Sequence, residues 1–176
     1  AFVSPTLTRK QLAAWSDLFR IHLLTQRQVI WADLDAYCLR PYDFPEGHVF
    51  GRNDGEGVLS GVLALPQASP ALNWMADFTA QEQLELPWAD PAWIARRAQA
   101  GTLGPADLAW GDIGPRLLGH ALRQSGEDRH ALRRRVFYPL LHKELARLWT
   151  PHMDARVVAD AETRSVHIFG YTKRVM

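Results

Sequence analysis

Near the start of the chain apolar residues recur at helical spacing. Leu12, Trp15, Phe19 and Leu23 line one side of a segment that Thr8 can cap, which predicts a helix to about Gln26. Ala13, Ala14, Leu18, Ile21 and Leu24 make the opposite side apolar too, and a helix apolar almost all round is expected between layers. Asp17 and Arg20 interrupt it on the arc of Ala13 and Leu24, three residues apart, where they can pair. Gln28-Val29-Ile30-Trp31-Ala32 is a short apolar run without alternation, the pattern of a strand covered on both faces as in a parallel sheet. It runs into Asp33-Leu34-Asp35.

Further strands are predicted over His48–Gly51 and Val58–Leu65, the second closed by Pro66. Ser69-Pro70 then gives an N-cap followed by proline at the first helical position, opening a helix to about Ala80. Across 81–111 the pattern breaks at Pro87, Pro91, Gly101, Gly104 and Pro105, around Trp88, Trp93 and Trp110, and this stretch is expected to form a variable, lid-like region. Pro115–Ser125 reads as a helix, Arg135–Leu140 as a strand, His142–Trp149 as a short helix and Ser165–Phe169 as a last strand. Strands alternating with helices predict an α/β sandwich.

With 176 residues, a single domain spanning 1–176 is expected. Hydrophobic residues at 47% and charged residues at 22% exclude disordered and fibrous classes. A formal charge of +1 gives the whole chain no electrostatic reason to coat nucleic acid, so any polyanion must be met locally. Cys38 is the sole cysteine, which removes a disulfide framework and a cysteine-rich zinc site together and fits a reducing compartment. No run reaches the ~18 apolar residues of a spanning helix, and the first residues lack the order of a secretory signal; a cytoplasmic protein is expected.

The candidate chemistry lies at Asp33 and Asp35. Carboxylates two positions apart at the end of an extended segment can project the same way, and strand ends of α/β sheets hold ligands. Hard oxygen donors suit Mg²⁺ or Mn²⁺, whose coordination substrate phosphates complete, so the implied ligand is a diphosphate. On its own a D-x-D triplet is more often a solvated turn than a metal site.

The order around it carries a resemblance. Ser16-Asp17-x-x-Arg20, a buried strand, Asp33-Leu34-Asp35 and Cys38-Leu39-Arg40-Pro41-Tyr42-Asp43 resemble the glycosyltransferase sugar-binding region containing the DXD motif. That group includes glycosyltransferase family 32 and, more distantly, glucosylating bacterial toxins. The likeness continues through Val49-Phe50-Gly51, Leu65-Pro66-x-x-Ser69-Pro70, Gly114-Pro115, Phe137-Tyr138-Pro139 and Val166-His167. It implies a GT-A fold, a nucleotide-sugar-binding α/β/α sandwich, and transfer of a sugar with retention, dependent on Mn²⁺ or Mg²⁺. The implied donor is a UDP- or GDP-sugar, and the acceptor a glycan or lipid-linked precursor of a surface polysaccharide, met at the inner face of a membrane.

By position the resemblance turns Asp33 toward ribose and metal, makes Asp35 a metal ligand and sets His167 near metal or diphosphate. It gives Asp17 and Arg20 the hydroxyls of the donor sugar, with Ser60 supplying a hydroxyl where relatives carry an asparagine-rich step. Arg27-Gln28 replaces the Gly-Gly that many members carry, and of the aromatic residues after the histidine only Phe169 and Tyr171 are kept. Members also have a base-binding segment ahead of the Ser16-Asp17 helix; the resemblance implies that it is absent from this sequence or that the donor pocket is incomplete.

Other readings stand beside these. Asp17 with Arg20 read alone is a structural ion pair, and the motif that follows favours the site; His167 between Val166 and Ile168 is equally a core histidine. Arg129–Arg135 reads as a solvated helix face, or as a rest for anionic headgroups. Trp88, Trp93 and Trp110 suit packing or sugar stacking, and Asp112 either turn chemistry or an acceptor contact. Two rival functions are a nucleotide-sugar or glycan-binding protein without turnover and a haloacid-dehalogenase-like phosphatase. Against the phosphatase, Tyr37 stands where threonine or valine is wanted.

Overall fold

The computed structural model describes residues 8–55, 57–82, 84–99, 108, 111–141, 143–145, 157 and 160–169. It is mixed α/β, with four α-helices and small antiparallel sheets among the described residues. The chain falls into two units, one built from Ala1–Gln28 and Pro66–Arg129, the other from Val29–Leu65 and His130–Met176.

The first unit is helical. Helix α1 (Arg9–Gln26) starts at a capping box. The Thr8 hydroxyl accepts from the Gln11 N–H at 3.3 Å, and the Gln11 side chain accepts from the Thr8 N–H at 2.9 Å, so two orphan donors are satisfied reciprocally. At its other end the Gln67 amide donates to the Leu24 carbonyl at 2.6 Å. The expected burial of α1 on all sides is not what forms. Arg20, Ile21 and Leu24 are buried, whereas Leu12, Trp15 and Phe19 are 42%, 45% and 57% exposed. Helix α2 (Pro70–Thr79) begins where Ser69 and Pro70 predict, with the Ser69 hydroxyl accepting from the Leu72 N–H at 3.1 Å. It buries Ala71, Leu72, Met75 and Phe78 and packs on α1.

Helix α3 (Pro91–Gln99) lies inside the stretch expected to be lid-like; Asp90 caps it by accepting from the Ala92 N–H at 2.7 Å. Leu84, Leu86 and Leu108 of that stretch are buried, and the Trp88 ring lies 5.9 Å from Phe78. Gly101, Gly104, Pro105 and Trp110 lie outside the described residues. A wide helical turn, Asp112–Arg116, leads into α4 (Leu117–Ser125), which packs on α2 and ends at Gly126 in the left-handed conformation.

The second unit holds the strands. β1 (Trp31–Ala32), β4 (Val58–Ala64) and β3 (Val49–Arg52) form one sheet in that order; β2 (Ala36–Cys38) and β5 (Ser165–His167) form another. Among the described residues every pairing between these strands is antiparallel, which corrects the parallel-sheet expectation for the run ending at Ala32; the sole parallel pairing is an isolated bridge between Gly51 and Leu132. The run is only half covered, with Trp31 partly buried and Ala32 exposed, and β4 returns along it through a hairpin with β3 rather than through a helical crossover.

Arg135–Leu140 is not a strand. A short 3₁₀ turn, Arg134–Val136, presents Val136, Phe137 and Tyr138 to a core shared with Val49, Val62 and Ala64. The Val62 N–H donates to the Tyr138 hydroxyl at 3.1 Å, and a Cβ on Gly51 would come within 2.9 Å of the Tyr138 ring. These residues are β-formers in composition, yet they anchor the sheet from outside it. Of the helix expected over His142–Trp149 only 143–145 are described. No helix among the described residues is long and apolar enough to cross a membrane.

Candidate metal centre

Asp33 follows β1 directly. Its N–H donates to the Gly61 carbonyl on β4 at 2.7 Å, and its own carbonyl accepts from Ala36 N–H at 2.9 Å, closing a tight turn into β2. This turn, rather than continued extension of the strand, brings both carboxylates to one place while Leu34 between them is fully exposed. The Asp35 carbonyl accepts from the Ile168 N–H at 2.8 Å, and Ala36 stands opposite His167 in the β2–β5 register. Pairing of two short strands thus carries a histidine from near the end of the chain to the aspartates.

His167 Nε2 lies 3.2 Å from Asp35 Oδ1 and 3.5 Å from Asp33 Oδ2. One ligand atom from each of the three residues lies within 4.8 Å of the others. The Trp31 indole N–H donates to Asp33 Oδ1 at 2.7 Å, fixing that carboxylate from behind. Gly61 makes the room: a Cβ there would lie 2.6 Å from His167 Nε2 and 3.1 Å from Asp33 Oδ2. His167 is buried and the aspartates partly so. The carboxylates fit a hard divalent cation, being two oxygen donors at bridgeable separation with the remaining positions left for other ligands.

Ser60 is buried on β4 next to Gly61, and strand alternation turns it to the face opposite the one Gly61 lends to the cluster. Asp17 and Arg20 are in the helical unit, paired at 3.3 Å with both side chains largely out of water. The turn at Gly114 is pressed against them, since a Cβ there would fall 2.8 Å from Asp17 Oδ2. Asp112 is buried with Arg116 at 3.1 Å.

The basic run does not form a solvated helix face. Arg135 makes a two-pronged pair with Glu162 at 2.9 and 3.0 Å, and Arg133 reaches the same carboxylate at 3.5 Å. Arg134 spans Asp54 at 3.3 Å and Glu144 at 3.5 Å, and Arg129 caps α4 by donating to the Gly126 carbonyl at 2.7 Å.

Two residues of the centre are not singled out by sequence reasoning: Trp31, which holds Asp33, and Gly61, which makes the room. Trp31 carried a signal, because residues i and i+2 of a strand share a face and its indole needs an acceptor. Compared with models of known protein families, with curated proteins and with solved structures, the chain finds no match in any of the three.

Proposed function

We propose that the protein is a divalent-cation-dependent glycosyltransferase of GT-A type, moving a sugar with retention from a nucleoside diphosphate sugar to a glycan or lipid-linked acceptor. The observation that carries the reading is the convergence of Asp33, Asp35 and His167, with His167 and Asp33 packed against the bare Cα of Gly61. The GT-A part rests on the order of the sequence motifs, since the described strands pair antiparallel. Mn²⁺ or Mg²⁺, when bound, would offset the charge that develops on the departing diphosphate without a proton donor.

Asp33 and Asp35 would hold the cation and leave positions for phosphate oxygens. Trp31 keeps Asp33 from swinging to solvent, and the turn through Leu34 fixes the separation of the two carboxylates. His167 is buried against both carboxylates.

Nucleotide release from a panel of UDP- and GDP-sugars with Mn²⁺ or Mg²⁺ tests the reading on wild type and Asp35→Asn. Slow release without acceptor is expected from wild type. A loss of about 100-fold or more is expected in the variant, matching the several kcal/mol a cation contributes to such charge. Equal release by both would reject the cation role. Hydrolysis of simple phosphomonoesters would favour a phosphatase, and donor binding with no release a binding protein.

A further inference from the structure

The proton of the His167 ring can be assigned from its neighbours. The Phe169 backbone N–H reaches Nδ1 at 3.2 Å. An amide N–H only donates, so Nδ1 must present its lone pair; a hydrogen on Nδ1 would set two donors against each other. The ring hydrogen then sits on Nε2, which faces carboxylate oxygens of Asp35 and Asp33 at 3.2 and 3.5 Å.

Local structure enforces this. Two residues past the end of β5, Phe169 takes φ +49°, a left-handed conformation that a bulky residue adopts only under strain. The turn folds the Phe169 N–H back onto the ring two residues earlier. The Phe169 and Tyr138 rings lie 4.6 and 5.5 Å from the imidazole and hold its plane. A histidine that ligates a metal has the reverse arrangement, with its lone pair on the ion and its other N–H given to an acceptor.

We propose that His167 is a positioning residue rather than a ligand: its Nε2–H bridges Asp33 and Asp35 and holds two mutually repelling carboxylates at a spacing a cation can enter, with the Phe169 N–H locking the tautomer. The cation half of this statement rests on the proposed function; the tautomer does not.

Imidazole ¹⁵N–¹H correlation spectra of the labelled chain, without metal and with Mg²⁺ alone, test it. His167→Gln assigns the signals by their loss. A protonated Nε2 and a bare Nδ1 are expected in both conditions. A protonated Nδ1, an imidazolium pattern, or conversion of Nε2 to the bare form on adding Mg²⁺ would overturn the proposal.

The Trp31 indole resonance reports on Asp33 in the same samples. Mg²⁺ should move it in wild type and leave it in place in Asp35→Asn; an unmoved wild-type signal rejects the cation site itself, and with it the claim that the spacing serves a cation. His167→Gln, which keeps an N–H donor at similar reach, should hold Mg²⁺ affinity within about threefold, while His167→Ala weakens it about tenfold. Equal loss in both variants would count against a donor role.

Discussion

Gly61 has no side chain because the volume its Cβ would fill belongs to His167 and Asp33. Gly61→Ala should therefore fold with a stability loss of about 1–3 kcal/mol from overpacking, and with the imidazole pushed off the carboxylates. The expected outcome is roughly tenfold weaker Mg²⁺ binding, read from the Trp31 indole resonance, an effect of the size that supporting groups around a metal have. Gly57→Ala is the control, since the nearest atom to a Cβ there is 3.7 Å away, in ordinary contact. At this scale the two aspartates were legible because residue type alone declares their chemistry. The glycine was not, because a missing side chain has meaning only against neighbours that pairing of β4 with β1, and of β5 with β2, brings close.

Helix α2 shows how an element is tied to its unit. Its N-cap Ser69 donates to Glu127 at 2.6 Å, and the other oxygen of that buried carboxylate accepts from the Ala71 N–H at 2.9 Å. Glu127 thus complements the positive end of α2 from the turn that follows α4. Glu127→Ala would leave two buried donors without an acceptor, for which about 1–3 kcal/mol of destabilisation is expected, measured as a lowered urea midpoint. Glu127→Gln, which keeps one acceptor oxygen, should lose less. The start of α2 was readable from Ser69-Pro70, and the start of α1 from Thr8, because caps are local chemistry. Which side of α1 is buried was not, since both sides are apolar. Burial went to the side carrying Asp17 and Arg20, which pair with each other against the bare Cα of Gly114.

Acid should weaken the fold as a whole through His120. Its ring lies between Trp74 and Trp88, at 5.1 and 5.4 Å, and burial first, then the nearby Arg123 charge, hold its pKa below the usual histidine value. The unfolded chain, with an ordinary imidazole, takes up its proton as pH falls through about 6.5 while the folded chain still resists. Stability contributed by the neutral ring is therefore full above that pH and lost progressively below it. Between about pH 7.5 and 5.5 His120→Gln should lose less stability than wild type by urea unfolding; an equal loss would place the acid sensitivity elsewhere. Local sequence was enough for the mixed α/β character, the starts of α1 and α2, the positions of β3 and β4 and the acidic pair, all of which follow from spacing, capping and residue type within a few neighbouring positions. The antiparallel direction of the strands, the ion-paired fate of the arginine run and the meeting of His167 with Asp33 and Asp35 came from the three-dimensional fold. Each of these depends on which distant segments pair, and pairing is settled by burial and hydrogen-bond satisfaction over the whole unit rather than by any one stretch of chain.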